Sequence, residues 1–165
     1  MGMVFTMVQF PAQKLQEYID NPENFEKDLV ALEENQSNQS LYLDKSWEAI
    51  HYILTGKKIG NGTKPLSLVI YSEQFFDEEQ DLGMGPASYL TAEQVKEINK
   101  ILEQLGSTYL KEKYMPKQMT EMGIYPSFWD KDPTLFDYVS DNFQKLKDFY
   151  QDAASKNHAI ASYMN

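Results

Sequence analysis

The sequence predicts an α+β fold, a single compact domain over residues 1–165 that is mostly helical, with a small sheet built from N- and C-terminal strands. Three observations support this prediction. An apolar run typical of a buried strand opens the chain at residues 3–10, another closes it at residues 159–164, and segments with helical spacing fill the interval. We expect the two terminal strands to pair with each other.

Length and composition restrict the class of protein. The chain has 165 residues, 13% of them aromatic, which predicts a real core despite a net charge of −10. All 15 basic residues are lysines, and the sequence contains no cysteine. Disulfides and thiolate chemistry are therefore excluded, and an acidic chain without arginine is a poor candidate for binding nucleic acid or an anionic membrane.

The hydrophobic segments are too short for a membrane protein. None approaches 18 apolar residues, and the N-terminus lacks the basic region of a signal peptide. We therefore expect a cytoplasmic protein.

The first half of the chain predicts three helices. Asn21-Pro22 supplies a cap and a first-turn proline between two helical patterns, and the polar run 33–40 predicts a loop. Within residues 41–56, the pattern predicts a helix that Asp44 caps and that Gly56 ends in the left-handed conformation. One apolar stripe of this helix, at i, i+3, i+4 and i+7, consists of Trp47, Ile50, His51 and Leu54.

The second half begins with an ambiguity and ends in a long helix. Residues 65–71 fit either a short helix begun by Pro65 or a buried strand, and the sequence does not distinguish them. Thr91 and Gln94 predict a capping box that starts a helix, and further helices are expected over 107–115 and after Pro116. An aromatic loop follows, and Asp141 is expected to cap the last helix.

Several of these segments together resemble one bacterial family. They occur in order over nearly the whole chain, and the most specific is Leu-Asp-Lys-x-Trp-x-x-x-His followed by Leu-Thr-Gly. They are Met1-Gly2-Met3, Leu43 to Trp47 with His51, Leu54-Thr55-Gly56, Pro65-Leu66-Ser67, Asp81-Leu82-Gly83, Gly85-Pro86, Tyr89-Leu90-Thr91, Tyr125-Pro126, Trp129 and Phe149 to Ala154. The sequence resembles the YfbM-like family, also called domain of unknown function 1877. The resemblance implies a small bacterial domain of mixed α and β structure, and no established reaction, cofactor or substrate.

His51 is the sharpest candidate for a functional residue, because the chain has two histidines and this one lies beside Trp47 on an apolar stripe. As a general base it would need a carboxylate such as Asp81 to orient it. The alternative, which we favour, is a core histidine that bonds a backbone carbonyl and holds a loop against the helix.

The remaining candidates for a binding site are Tyr89, Tyr125 and Trp129. Tyr125 and Trp129 belong to an aromatic loop that either anchors a partner, if exposed, or covers the core. The sequence shows no metal-ligand spacing, no complete glycine-rich loop for a cofactor and no nucleophile elbow. We therefore expect neither a metal site nor a cofactor.

Two functional hypotheses remain, with binding favoured over catalysis. A non-catalytic binding protein would use its acidic charge to attract a basic protein partner, and would present a contiguous acidic surface with an exposed aromatic residue. A ligand-binding protein or hydrolase-type enzyme would use a cleft beside the Trp47/His51 helix, with Tyr89, Tyr125 or Trp129 as walls. The protein is expected to be a monomer or a homodimer, and a homodimer could bury the aromatic loop in its interface.

Overall fold

The fold is built on four antiparallel strands, and the computed structural model describes residues 2–34 and 39–165. The strands are β1 (Phe5–Pro11), β2 (Ser40–Asp44), β3 (Ser88–Leu90) and β4 (His158–Met164). Their order in the sheet is β2-β1-β4-β3. The first and last strands pair along their whole length, which confirms the predicted pairing of the two ends of the chain.

Seven α-helices occur within the described ranges, more than the five or six expected. They are α1 (Ala12–Asp20), α2 (Pro22–Glu34), α3 (Trp47–Thr55), α4 (Ala92–Leu102), α5 (Ser107–Lys113), α6 (Pro116–Glu121) and α7 (Leu135–Ser155). The ambiguous segment 65–71 contains a short 3₁₀-helix at Leu66–Leu68 and no strand. The protein therefore has the predicted α+β fold, in which β2 and β3 extend the terminal pair of strands.

Both faces of the sheet are covered because apolar side chains alternate along β1. Phe5 and Met7 lie in a core cluster with residues of α3, α4 and α7. Val8 and Phe10 point to the opposite face, where they lie in a second cluster with residues of α1 and α2. The sheet thus separates two hydrophobic cores, and each buried side chain of a strand packs in one core or the other.

Two predicted helix caps are wrong. Asp44 is the last residue of β2, in a left-handed conformation with φ 48°, and α3 begins three residues later at Trp47. Its carboxylate instead accepts a hydrogen bond from the Tyr138 hydroxyl at 2.7 Å. Asp141 lies inside α7, which begins at Leu135. Both aspartates are residue types that cap helices well, but the N-cap positions of α3 and α7 are occupied by Ser46 and Thr134.

Other local predictions are confirmed. Gly56 ends α3 with φ 71°, and Thr91 and Gln94 form both bonds of the capping box that starts α4. The predicted loop 33–40 is wrong at both ends, since Glu33 and Glu34 belong to α2 and Ser40 to β2. The middle of that predicted loop, residues 35–38, lies outside the described residues.

Candidate functional site

Trp47 lies between two other aromatic rings at the start of α3. It stacks on Tyr125 with ring centroids 5.6 Å apart and on Phe5 at 6.0 Å. Its indole N–H donates to the backbone oxygen of Met3 at 3.1 Å, and the backbone N–H of Met3 donates to the Tyr125 hydroxyl at 2.9 Å. Trp47 is 2% exposed. The two aromatic residues thus hold the segment before β1 against α3.

Glu48 is a buried carboxylate that the sequence analysis did not identify. Its side chain is held among buried residues of α3, and it accepts two backbone hydrogen bonds. Oε1 accepts from the Ile59 N–H at 3.1 Å, and Oε2 accepts from the Tyr125 N–H at 2.6 Å. Both of its oxygens are therefore used to fix loops against α3. A Glu directly after Trp47 in an apolar helix was the only sequence signal for it.

His51 is closed off from solvent, with an exposure of 0%. Its Nε2 lies 2.8 Å from the backbone oxygen of Asn61, and because a carbonyl only accepts, this nitrogen carries the proton and donates it. Burial lowers the pKa of His51, and the carbonyls of Asn61 and Lys58 oppose that shift. Among the described residues, Nδ1 has no hydrogen-bond partner. This arrangement is that of a core histidine that fixes the 57–62 loop.

A cavity of about 380 Å³ does lie beside α3, between residues 52–56 and residues 109–118. It is lined by neither Trp47 nor His51. Both side chains are enclosed, and the described contacts of His51 include no carboxylate or tyrosine hydroxyl within hydrogen-bond distance. A general base needs access to a substrate, so His51 is not placed to act as one.

Trp129 also belongs to the core. It is 2% exposed, and its indole N–H donates to the backbone oxygen of Ile124 at 2.9 Å. Tyr125 is half-buried on Trp47, whereas Phe128 is 45% exposed. The aromatic loop is therefore mainly a cover over the core, with Phe128 as its exposed member.

Asp81 and Tyr89 lie away from the other candidates. Tyr89, in β3, stacks on Phe76 at 5.0 Å and packs in the cluster on the face of the sheet opposite α3. Asp81 is exposed, and its carboxylate accepts from the backbone N–H of Gly83 at 2.9 Å within its own loop. The structure therefore joins Trp47, Tyr125 and His51 around α3 and places Asp81 and Tyr89 elsewhere.

A strong asymmetry of charge appears on the face of the sheet covered by α1 and α2. The loop 77–81 lies beside α2, since Phe76 packs on Phe25 at 4.8 Å and the Gln80 side chain donates to Glu26 at 2.9 Å. We call residues 12–34 and 77–81 together the acidic layer. It contains eleven acidic residues and two lysines, a net charge of −9, whereas the rest of the chain carries −1.

Few of these carboxylates are neutralised within the protein. Lys14 pairs with Glu17 at 3.1 Å and with Asp28 at 3.6 Å. The other nine acidic residues of the layer form no ion pair with a lysine among residues 2–34 and 39–165. At the end of α2, burial and the neighbouring carboxylate of Glu34 raise the pKa of Glu33. The acidic layer is thus a concentrated source of negative potential.

The described residues offer no candidate metal centre or membrane span. They contain no group of three or more acidic or histidine side chains arranged to hold a metal ion. Within the same ranges, each helix is too short or too polar to cross a bilayer.

Comparisons with known proteins identify the family. The family model described as "Domain of unknown function (DUF1877)" matches residues 1–163. The chain is similar in fold to the crystal structure of YfbM from Escherichia coli, a protein of unknown function, with a TM-score of 0.76 and 20% sequence identity. That similarity covers 98% of this chain and 99% of the other. The curated proteins include no significant match. The chain belongs to the DUF1877 family.

Proposed function

We propose that this protein is a non-catalytic binding protein that recognises a basic protein partner through the acidic layer. The observation that carries the proposal is the partition of charge, since the layer holds −9 of the net −10. Solubility depends on the net charge of a protein and does not require that charge to be concentrated on one face. A one-sided field steers an oppositely charged partner into a defined orientation.

Exposed apolar groups beside these charges support the same function. Val30, on α2, is 59% exposed, and Tyr42, on β2, is 57% exposed. Leu41 and Leu43 of β2 belong to the core on the α7 side, so Tyr42 points to the side of the acidic layer. Aromatic and apolar side chains supply contact area where charge alone supplies attraction. Binding of this kind would neutralise or regulate the basic partner.

The alternative, a ligand-binding protein or enzyme that uses a cleft at α3, has less support than the binding function. Its histidine is fully enclosed and bonded to a backbone carbonyl, and two of its expected walls, Trp129 and Tyr89, lie in the core or on the other face of the sheet. A binding function needs no such cleft.

The proposal is tested by reversing charge inside and outside the layer. Glu78→Lys/Glu79→Lys changes two exposed positions of the layer, and Glu97→Lys/Glu121→Lys makes the same change of net charge at exposed positions on α4 and α6. Each variant and the parent protein are used to capture proteins from an extract of the native host. A captured partner is then purified, and its affinity is measured at several salt concentrations.

We expect a basic partner that binds the parent and the Glu97→Lys/Glu121→Lys control, and binds the Glu78→Lys/Glu79→Lys variant at least tenfold more weakly. Affinity for the parent should fall with increasing salt because exposed charges are screened. Equal loss in both variants, or a partner whose binding is independent of salt, would contradict the proposal.

A further inference from the structure

The outer edge of β2 has unpaired backbone groups. In an antiparallel ladder only alternate residues of a strand bond to a given neighbour. Val4 and Asn165 exchange both backbone hydrogen bonds, so the N–H and C=O groups of the even-numbered residues of β1 point towards β4. The Gln9 N–H donates to the backbone oxygen of Gln39 at 2.9 Å, so the N–H and C=O groups of the odd-numbered residues of β1 point towards β2. The N–H and C=O of Ser40 and Tyr42 consequently point away from the sheet.

Nothing in the described chain covers these groups. The pairing partner of β2 within residues 2–34 and 39–165 is β1 alone. No hydrogen bond between described residues uses the backbone N–H or C=O of Ser40 or Tyr42. An exposed edge of this kind is a template for an added strand.

A groove runs between this edge and α7. It has a volume of about 300 Å³ and is lined by Ser40, Leu41, Lys145, Asp148, Phe149 and Asp152. Phe149 is 5% exposed and forms an apolar floor. A strand added to β2 would place every second side chain in this groove.

Carboxylates predominate around the edge. Asp148 and Asp152 line the groove on the α7 side, and Asp44 ends β2. On the other side the hydroxyl of Ser40 donates to the backbone oxygen of Glu33 at 3.2 Å, which places the end of α2, with Glu33 and Glu34, beside the strand. Against these five carboxylates stand three lysines, namely Lys45 directly after Asp44, Lys145 and Lys156, and the last of these is paired with Asp152 at 2.8 Å.

We propose that the outer edge of β2 accepts an extended segment of a basic partner protein as an added strand, bonded to the backbone of Ser40 and Tyr42. This inference rests on the proposed function for the existence of a basic partner and specifies how part of that partner binds. Side chains of the added strand alternate between the groove over Phe149 and the exposed ring of Tyr42. A lysine or arginine at these positions meets Asp148 on the side of the groove and the acidic end of α2 on the other side.

Charge also decides against a second copy of this chain as the occupant. Pairing β2 with β2 of another molecule would bring together two chains of net charge −10 and the same carboxylates at the same edge. A lysine-bearing strand removes that repulsion and replaces it with attraction.

The test uses a fluorescent eight-residue peptide of alternating lysine and valine as the probe. A control peptide of the same sequence is N-methylated at two adjacent central residues, which removes N–H donors from both edges of the strand without changing charge. Binding is followed by fluorescence polarisation, and amide hydrogen exchange at Ser40 and Tyr42 is followed by NMR. A matched pair of variants, Asp148→Lys beside the groove and Glu97→Lys on α4, tests location, because Glu97 is exposed and does not line the groove.

We expect the unmodified peptide to bind, to slow amide exchange at Ser40 and Tyr42, and to bind about tenfold more tightly than the N-methylated peptide, since several backbone bonds are lost. Asp148→Lys should weaken binding more than Glu97→Lys does. Equal affinity for both peptides would mean plain electrostatic attraction and would overturn the inference. A dimer of the free protein with these two amides already protected would also overturn it, because a second copy would then hold the edge.

The two proposals fail in different ways. If Glu78→Lys/Glu79→Lys abolishes capture of a basic partner while the peptide leaves Ser40 and Tyr42 unprotected, the strand-addition inference alone is wrong. If those reversals have no effect while the peptide protects both amides, the acidic layer is not the recognition surface.

Discussion

The carboxylate of Glu48 accepts a hydrogen bond from the backbone N–H of Tyr125 at 2.6 Å, across 77 positions of the chain. Its other oxygen accepts from the N–H of Ile59. One buried side chain therefore fixes two loops, 57–62 and the start of the aromatic loop, to the same helix. Backbone donors that are buried need such acceptors.

Replacing Glu48 by Gln should lower the free energy of unfolding by about 1–3 kcal/mol, because an amide offers one accepting oxygen for two buried N–H donors. Urea unfolding followed by circular dichroism measures the change. Glu112→Gln, at an exposed position on α5, is the matched control and should stay within about 0.5 kcal/mol of the parent. A Glu48→Gln protein as stable as the control would show that the two bonds do not stabilise the fold.

The stability of the protein should fall as the pH drops below about 6.5, the ordinary pKa of histidine. Burial lowers the pKa of His51 in the folded state, so the unfolded chain binds its proton more readily. The contribution of neutral His51 is therefore complete above the unfolded pKa and is lost as pH falls from there towards the lower folded pKa. Free energies of unfolding measured between pH 5 and 8 would reveal this dependence.

Two variants separate the contributions of His51 and His158 to this pH dependence. Both are needed because the pKa of His158 is also lowered by burial and by Lys156. His51→Gln should remove most of the loss below pH 6.5, whereas His158→Gln should leave it largely in place. If the two variants exchange these results, His158 is the group responsible.

The stability of the protein should respond differently to the loss of two buried tyrosine hydroxyls. Tyr150 donates to the backbone oxygen of Val69 at 2.6 Å, so Tyr150→Phe should cost about 1 kcal/mol of stability. The hydroxyl of Tyr163 is buried without a hydrogen-bond partner in the described part of the chain, so Tyr163→Phe should be neutral or stabilising. Thermal unfolding of the two variants, compared at the melting temperature of the parent, tests this contrast. Equal losses would indicate that the Tyr163 hydroxyl has a partner after all.

Features set by neighbouring residues in sequence were predictable. The terminal strands, the left-handed Gly56 and the capping box at Thr91 each depend on a pattern only a few residues long. The same reasoning failed at Asp44, whose partner, Tyr138, lies 94 residues away. It also missed β2 and β3, which are short and exist because longer strands lie beside them.

The candidate site was less predictable than the fold. The pattern around Trp47 and His51 suggested Tyr125 as one of three possible walls of a cleft. It gave no sign that Tyr125 stacks on Trp47 or that Glu48 accepts two backbone bonds. The total charge was visible in the sequence, but its partition was not. It arises because folding places the acidic loop 77–81 against α2 and leaves acids and lysines nearly balanced elsewhere.

The capping box of α4 should behave as one cooperative unit. The Thr91 hydroxyl accepts from the Gln94 N–H at 3.2 Å, and the Gln94 side-chain oxygen accepts from the Thr91 N–H at 2.9 Å. That oxygen also accepts from the side chain of Gln74 at 2.8 Å, which ties the loop before β3 to the same helix end.

Thr91→Ala should cost about 1 kcal/mol, and Thr91→Ser, which keeps the hydroxyl, should cost much less. In a double-mutant cycle with Gln94→Ala, the combined loss should be smaller than the two single losses together by about 0.5 kcal/mol or more, because each single change removes one bond and loosens the helix end that holds the other bond in place. Urea unfolding supplies all four free energies, and strictly additive losses would mean that the two bonds act independently.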